Sequence, residues 1–175
     1  MRSSVRFLLD SDVLITAKNL HYNPNFCTNF WMWVAHGFQH GTVYSIDKVR
    51  DELLNGKEDD PLRGWASQPA LDGFFLNSVP SAPKWQKLAT WAIEHVPPFQ
   101  AAAQDKFLDV KSADAWLIAF AAHNPGYVIV TNEQPAPESR KSIKLPDAAA
   151  AVGVSTMSLF DLLSQHAIGD FAFKA

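Results

Sequence analysis

Five carboxylates stand where a parallel α/β sheet would gather its chemistry. Asp10 and Asp12 close the apolar run in FLLDSDVLI, Glu133 follows YVIVTN, Glu52 lies in KVRDELL, and Asp114 opens SADAWLIAFAA two residues after Ser112. Taken singly, each has an ordinary explanation. An acid in the first turn of a helix complements the helix dipole by about 0.3–1 kcal/mol, which suffices for Asp114, with Ser112 as a candidate N-cap. Glu52 sits beside the i, i+4 pair Val49 and Leu53, where a glutamate commonly flanks a buried stripe and faces solvent. Asp10 and Asp12 suit a loop at a strand end. Their coincidence is more informative, because carboxylates converging on one edge repel one another unless a multivalent cation sits among them. An all-oxygen donor set suits Mg²⁺ or Mn²⁺ rather than zinc or copper.

The elements that would position these acids can be read from the hydrophobic pattern. Short apolar runs at 5–9, 42–46, 127–131 and 154–157 predict buried parallel strands, and the intervening patterns predict helices over 26–38, 47–54, 113–123, 146–152 and 158–165. This alternation implies βαβ units, hence a parallel sheet with helices on both faces. Ligands of such sheets bind at the carboxyl ends of the strands, near the point where strand order reverses. Asp10, Asp12 and Glu133 fall there, as does Asp47 after the second strand. Residues 56–111 differ from the rest: six prolines break the stretch, and no run in it reads as a strand. It is expected to be a helical insertion, its best helix at 85–95, within one domain spanning 1–175.

Composition bounds the function. A chain of 175 residues and 19.4 kDa can bury roughly 70% of its unfolded surface. Fifteen Lys and Arg against eighteen Asp and Glu leave a net charge of −3, which argues against a protein living by non-specific grip on nucleic acid. The single cysteine, Cys27, excludes an internal disulfide and a cysteine-based zinc knuckle. The opening residues carry no secretory h-region and no stretch has the length of a membrane span, so a soluble, cytoplasmic protein without a membrane partner is expected. His36 and His40 have a metal-ligand spacing without the H-E-x-x-H glutamate, and read as residues of a solvated face. The glycines form no dinucleotide or Walker fingerprint. Phe30, Trp31, Trp33 and Phe38 read as helix core, with Trp31 off the main stripe as an interface candidate.

LLDSDVLI at 8–15, VRDELL at 49–54, SADAWLIAFAA at 112–122 and VIVTNE at 128–133 together resemble the PIN-domain superfamily, the metal-dependent ribonucleases that include the VapC toxins. PESRKSIKLPD at 137–147 is similar to the loop and Pro-Asp turn of a bacterial PIN-like branch without an assigned substrate. Position 12 carries aspartate where that family usually has a small polar residue, and position 133 carries glutamate where many members have aspartate. The resemblance implies a PIN-like three-layer α/β fold, with a central parallel sheet of four to five strands flanked by helices. It implies a Mg²⁺- or Mn²⁺-dependent endoribonuclease of toxin-like type, with RNA as substrate and a cognate antitoxin or regulatory protein as partner. A homo-oligomer is a further expectation. Asp10, Glu52, Asp114 and Glu133 would be the catalytic, metal-binding acids, supported by Asp12, Asn132 and Asp147. Arg140, Lys141 and Lys144 would hold phosphates, or form a solvated charged loop. Two other readings stay open: a PIN-like module that binds RNA or protein without cutting, and an HAD-type phosphohydrolase using Asp10-x-Asp12, which lacks that family's later acidic pair.

Overall fold

The apolar run RFLL forms the middle of a sheet. In the computed structural model, which describes residues 5–169 and 171–173, five parallel strands run β1 (Arg6–Leu9), β2 (Val43–Ile46), β3 (Phe75–Leu76), β4 (Tyr127–Val130) and β5 (Thr156–Met157), in the spatial order β3-β2-β1-β4-β5. With β2 on one side and β4 on the other, β1 buries Phe7, Leu8 and Leu9, which explains its unbroken apolar run. Phe7 is in register with Val43 on one neighbour and Val128 on the other. The buried Ser45 hydroxyl donates to Leu9 O at 2.6 Å and ties the ends of β1 and β2 together.

Nine α-helices flank the sheet: α1 (Ser11–Asn19), α2 (Thr28–Gln39), α3 (Asp47–Leu54), α4 (Pro61–Ala66), α5 (Ala82–Glu94), α6 (Ala101–Phe107), α7 (Ala113–His123), α8 (Leu145–Ala151) and α9 (Leu159–His166). This count is of the described residues. The architecture is the three-layer α/β arrangement that the resemblance implies. No described helix is long and apolar enough to cross a membrane. The chain fills β1, β2 and β3 toward one edge, then returns to place β4 and β5 on the other side of β1. Strand order therefore reverses at β1, and Asp10 is the residue that ends it.

Four expectations need correction. The stretch 56–111 does contain a strand: Phe75–Leu76 pairs with Ser45–Ile46 as the sheet's edge, too short to show a period. It also holds α4, α5 and α6, whose buried Leu62, Trp65, Leu88, Ala92, Ala103 and Phe107 join the same apolar cluster as the strands. The helix α1 has no counterpart in the sequence pattern, because β-branched Val13, Ile15 and Thr16 mask the helical face formed by Val13, Leu14 and Ala17. A short antiparallel pair, β6 (Ala167–Ile168) and β7 (Ala172–Phe173), was likewise not expected. Trp31 is not an exposed interface residue: it is only 6% exposed, and its Nε1 donates to Tyr22 O at 2.7 Å.

Candidate functional site

The junction from β1 to α1 is a single residue, Asp10. Its backbone N–H donates to Val130 O at 3.0 Å, which binds the junction to the end of β4. Asp10 occupies the N-cap position of α1, where an aspartate normally accepts from the helix's first amides. Here the side chain makes no capping bond. The carboxyl, 2% exposed, turns instead toward the sheet edge and accepts from Thr131 Oγ1 at 3.1 Å, with Ser11 Oγ more distant at 3.5 Å. Asp12, on the first turn of α1, accepts through Oδ2 from the Asn132 amide at 3.0 Å, while its Oδ1 is buried without a hydrogen-bond donor. Thr131 organises this corner. Its hydroxyl also accepts from the Glu133 amide at 3.2 Å, so the T-x-acid turn after β4 is folded onto the Asp10 carboxyl.

Asp114 lies in the first turn of α7, half-buried, and is the carboxyl on which the other acids act. Burial pushes it up to about 6, with the charges of Glu133, Glu52 and Asp12 adding to the shift and Lys106 opposing it. Burial likewise holds Asp10 well above the usual carboxylate range, reinforced by the charges of Asp12 and Asp114 and by its hydrogen bond to Asp12. Asp12 is raised too, chiefly by burial and further by Glu133, while the contacts with Asp10, the Asn132 amide and Thr131 pull the other way. Both carboxyls are thus held above their ordinary range, Asp10 the further. A cation would relieve the same repulsion.

The outer acids have structural partners. Glu52 projects from α3 and accepts from the Ala113 amide at 2.9 Å, capping α7 from outside. That duty had been expected of Ser112, whose side chain makes no cap bond. Glu133 accepts from the Leu145 amide at the start of α8 at 2.9 Å and meets Lys144 Nζ at 3.4 Å. Asp147, in the first turn of α8, accepts from the Ala136 amide at 2.8 Å and so closes the intervening loop. Asn132 contributes its backbone amide to Asp12. Asp47 stands apart, accepting from the amides of Lys48 and Ser78.

The basic residues divide. Arg140 Nη1 donates to Pro137 O at 2.8 Å and Ser139 O at 2.9 Å, with its guanidinium 5.5 Å from the Phe99 ring centre, so it fixes the loop. Lys141 and Lys144 instead line a cavity of about 290 Å³ together with Asp114, Glu133 and Lys106. Lys106 was not singled out from the sequence, since nothing in residues 101–107 marks a site until α6 is folded against the loop. Thr131 was legible only as part of a motif.

The donor set fits a hard divalent cation in two respects: every donor is oxygen, and the buried Asp12 Oδ1 has no hydrogen-bond donor. Among the described residues no three His, Cys, Asp or Glu side chains are gathered closely enough to hold a metal ion together, because Glu52 and Glu133 are turned to helix N-termini. A family model described as a domain of unknown function, DUF4411, matches residues 7–169, and the chain belongs to that family. No curated protein and no solved structure matches the chain.

Proposed function

We propose, for a member of a family whose description assigns no activity, that this site is that of a Mg²⁺- or Mn²⁺-dependent endoribonuclease. The observation that carries the reading is the pair of buried Asp10 and half-buried Asp12 at the strand-order reversal, close to Asp114, with one buried carboxylate oxygen of Asp12 left without a donor. An aspartate at a helix N-cap that does not cap, but is held by a threonine among other acids, forgoes local stabilisation. Such an arrangement is expected where the carboxyl serves a ligand. Asp10 and Asp114 would be the central cation ligands, with Asp12 adding its free oxygen, Glu52 approaching from α3 and Glu133 from the turn after β4. Bound there, the cation supplies Lewis acidity for attack of water on a phosphodiester. The chain's own work is to hold Asp10 through Thr131, to keep Asp114 at the N-terminus of α7 through the Glu52 cap, and to present Lys141 and Lys144 to phosphate. The likeness of residues 8–15, 112–122 and 128–133 to PIN nucleases supports the RNA substrate. It also supports a toxin-like role with an antitoxin or regulatory protein as partner.

A second reading is favoured by the engagement of Glu52 and Glu133 with backbone amides: the protein would bind RNA or protein without cutting. The two part in one experiment. Single-stranded RNA is incubated with the protein and Mn²⁺, and the thermal midpoint is measured with Mn²⁺ and with chelator. The nuclease reading expects cleavage, and a midpoint that rises with Mn²⁺ because only the folded state assembles the ligands. Asp10→Asn should abolish both effects while leaving the chelated protein at least as stable as wild type, since it removes a buried repelling charge. Asp10→Asn that is destabilised and still responds fully to Mn²⁺ would overturn the cation site. RNA binding without cleavage would establish the silent module.

A further inference from the structure

The cavity beside Asp114 is lined by three lysines and two carboxylates, on a protein whose net charge is −3. A polyanion approaching an acidic strand edge needs a local positive field, and this cavity is where the chain supplies one. Two of its lysines, Lys141 and Lys144, come from the loop after β4, and Lys144 is drawn toward Glu133. The third, Lys106, comes from α6 in the 56–111 insertion. Lys106 and Lys141 are exposed, and neither forms an ion pair among the described residues. Both line one cavity.

Their separation is fixed by the backbone. Gln100, immediately before α6, donates its amide to the carbonyl of Arg140, immediately before Lys141, at 2.8 Å. The helix α6 is held from the other side by buried Ala103 and Phe107, and by Gln104 Nε2 donating to Ala92 O at 3.0 Å. Ala102 lies one turn before Lys106 and also lines the cavity, so its methyl leaves room where a larger side chain would intrude. The insertion is thus joined to the site loop by this hydrogen bond and carries a further cation into the lining of the same cavity.

We propose that Lys106, with Lys141, grips the phosphate backbone of single-stranded RNA in this cavity, making α6 of the insertion a substrate-binding wall. The proposal rests on the ribonuclease reading for the identity of the polyanion. An ammonium on a flexible stem suits it as a point-charge contact to phosphate that reads no base.

Binding of a fluorescently labelled single-stranded oligoribonucleotide, followed by anisotropy over a range of KCl concentrations in the Asp10→Asn background, tests it. Each lost phosphate contact should lower the slope of log affinity against log salt by about 0.7. Lys106→Ala should weaken binding several-fold and lower the slope by about that amount, and Lys106→Arg should restore the slope. Lys57→Ala, which removes an exposed lysine in the connection between α3 and α4, should change neither. Thermal midpoints of the variants show that each is folded. A Lys106→Ala protein with unchanged slope, while the wild type cleaves RNA, overturns this inference and leaves the nuclease reading standing. RNA neither bound nor cleaved by the wild type overturns both. RNA bound but not cleaved, with the Lys106 effect present, upholds the wall and removes only the catalysis.

Discussion

Thr131 is the residue on which the site depends most while touching no ligand of its own. Its hydroxyl donates to Asp10 and accepts from the Glu133 amide, so it sets both the orientation of the central acid and the turn that carries an outer one. Thr131→Val keeps the shape and removes those bonds. Loss of such an orienting partner costs about 10–100-fold in metal affinity at comparable sites. A Mn²⁺ titration of the thermal midpoint should show a weakening of that size. Glu52 makes a different prediction. As the cap of α7 it should contribute about 1 kcal/mol, so Glu52→Ala should lower stability in urea by that much even with chelator present, whereas Glu52→Gln, still an acceptor, should lose little. The positions of Asp10, Asp12 and Glu133 were legible in the sequence because each lies within three residues of the end of an apolar run. The duty of Glu52 was not, since it exists only once α3 and α7 pack together, and its sequence context beside Val49 and Leu53 looks like any solvated flank.

At the scale of elements, the loop from Asn132 to Lys144 behaves as a staple between β4 and α8. Glu133 holds the first amide of α8, Asp147 reaches back from that helix to the Ala136 amide, and Arg140 closes the bend through two carbonyls. Removing either acid should free the loop. Glu133→Ala should raise hydrogen exchange at Leu145, and Asp147→Ala at Ala136, each costing about 1 kcal/mol of local protection. Exchange at β1 should stay unchanged, because the central strand opens only with the whole sheet. The strands β1, β2 and β4 and the helices α3 and α7 were readable because apolar runs and helical spacing mark them plainly. The two-residue β3 and the β-branched α1 were not, for pairing with β2 and packing against the core decide them more than any local pattern does.

For the whole molecule, the carboxyl cluster makes stability depend on pH in an unusual direction. Folding raises the proton affinity of Asp10, Asp12 and Asp114, so the native state retains protons that the unfolded chain releases. That contribution is fully present below about pH 4 and is lost as pH climbs through the folded-state values, for Asp114 through about 6. For Asp114 alone the shift from 3.8 to about 6 corresponds to on the order of 3 kcal/mol. With chelator, this cluster should therefore make the protein lose stability between pH 4 and pH 7, read as a falling urea midpoint. Saturating Mn²⁺ should flatten the decline, because a cation stabilises the ionised acids. A Mn²⁺ effect equal at both ends of that range would contradict the link between cation and proton.

The order in which β1 gains its neighbours also fixes when the proposed site is complete. Asp10, Asp12 and Glu52 are made early, but Asp114 and Glu133 belong to α7 and the turn after β4, and Glu133 is seated only by the amide of Leu145. A chain terminated before Ala113 lacks β4, the strand that pairs β1 on its second side, and lacks Asp114 and Glu133. One terminated before Leu145 leaves Glu133 without its seat and Asp147 unmade. On the proposed function, truncated products of translation would lack the complete site, and only nearly finished molecules would carry its activity.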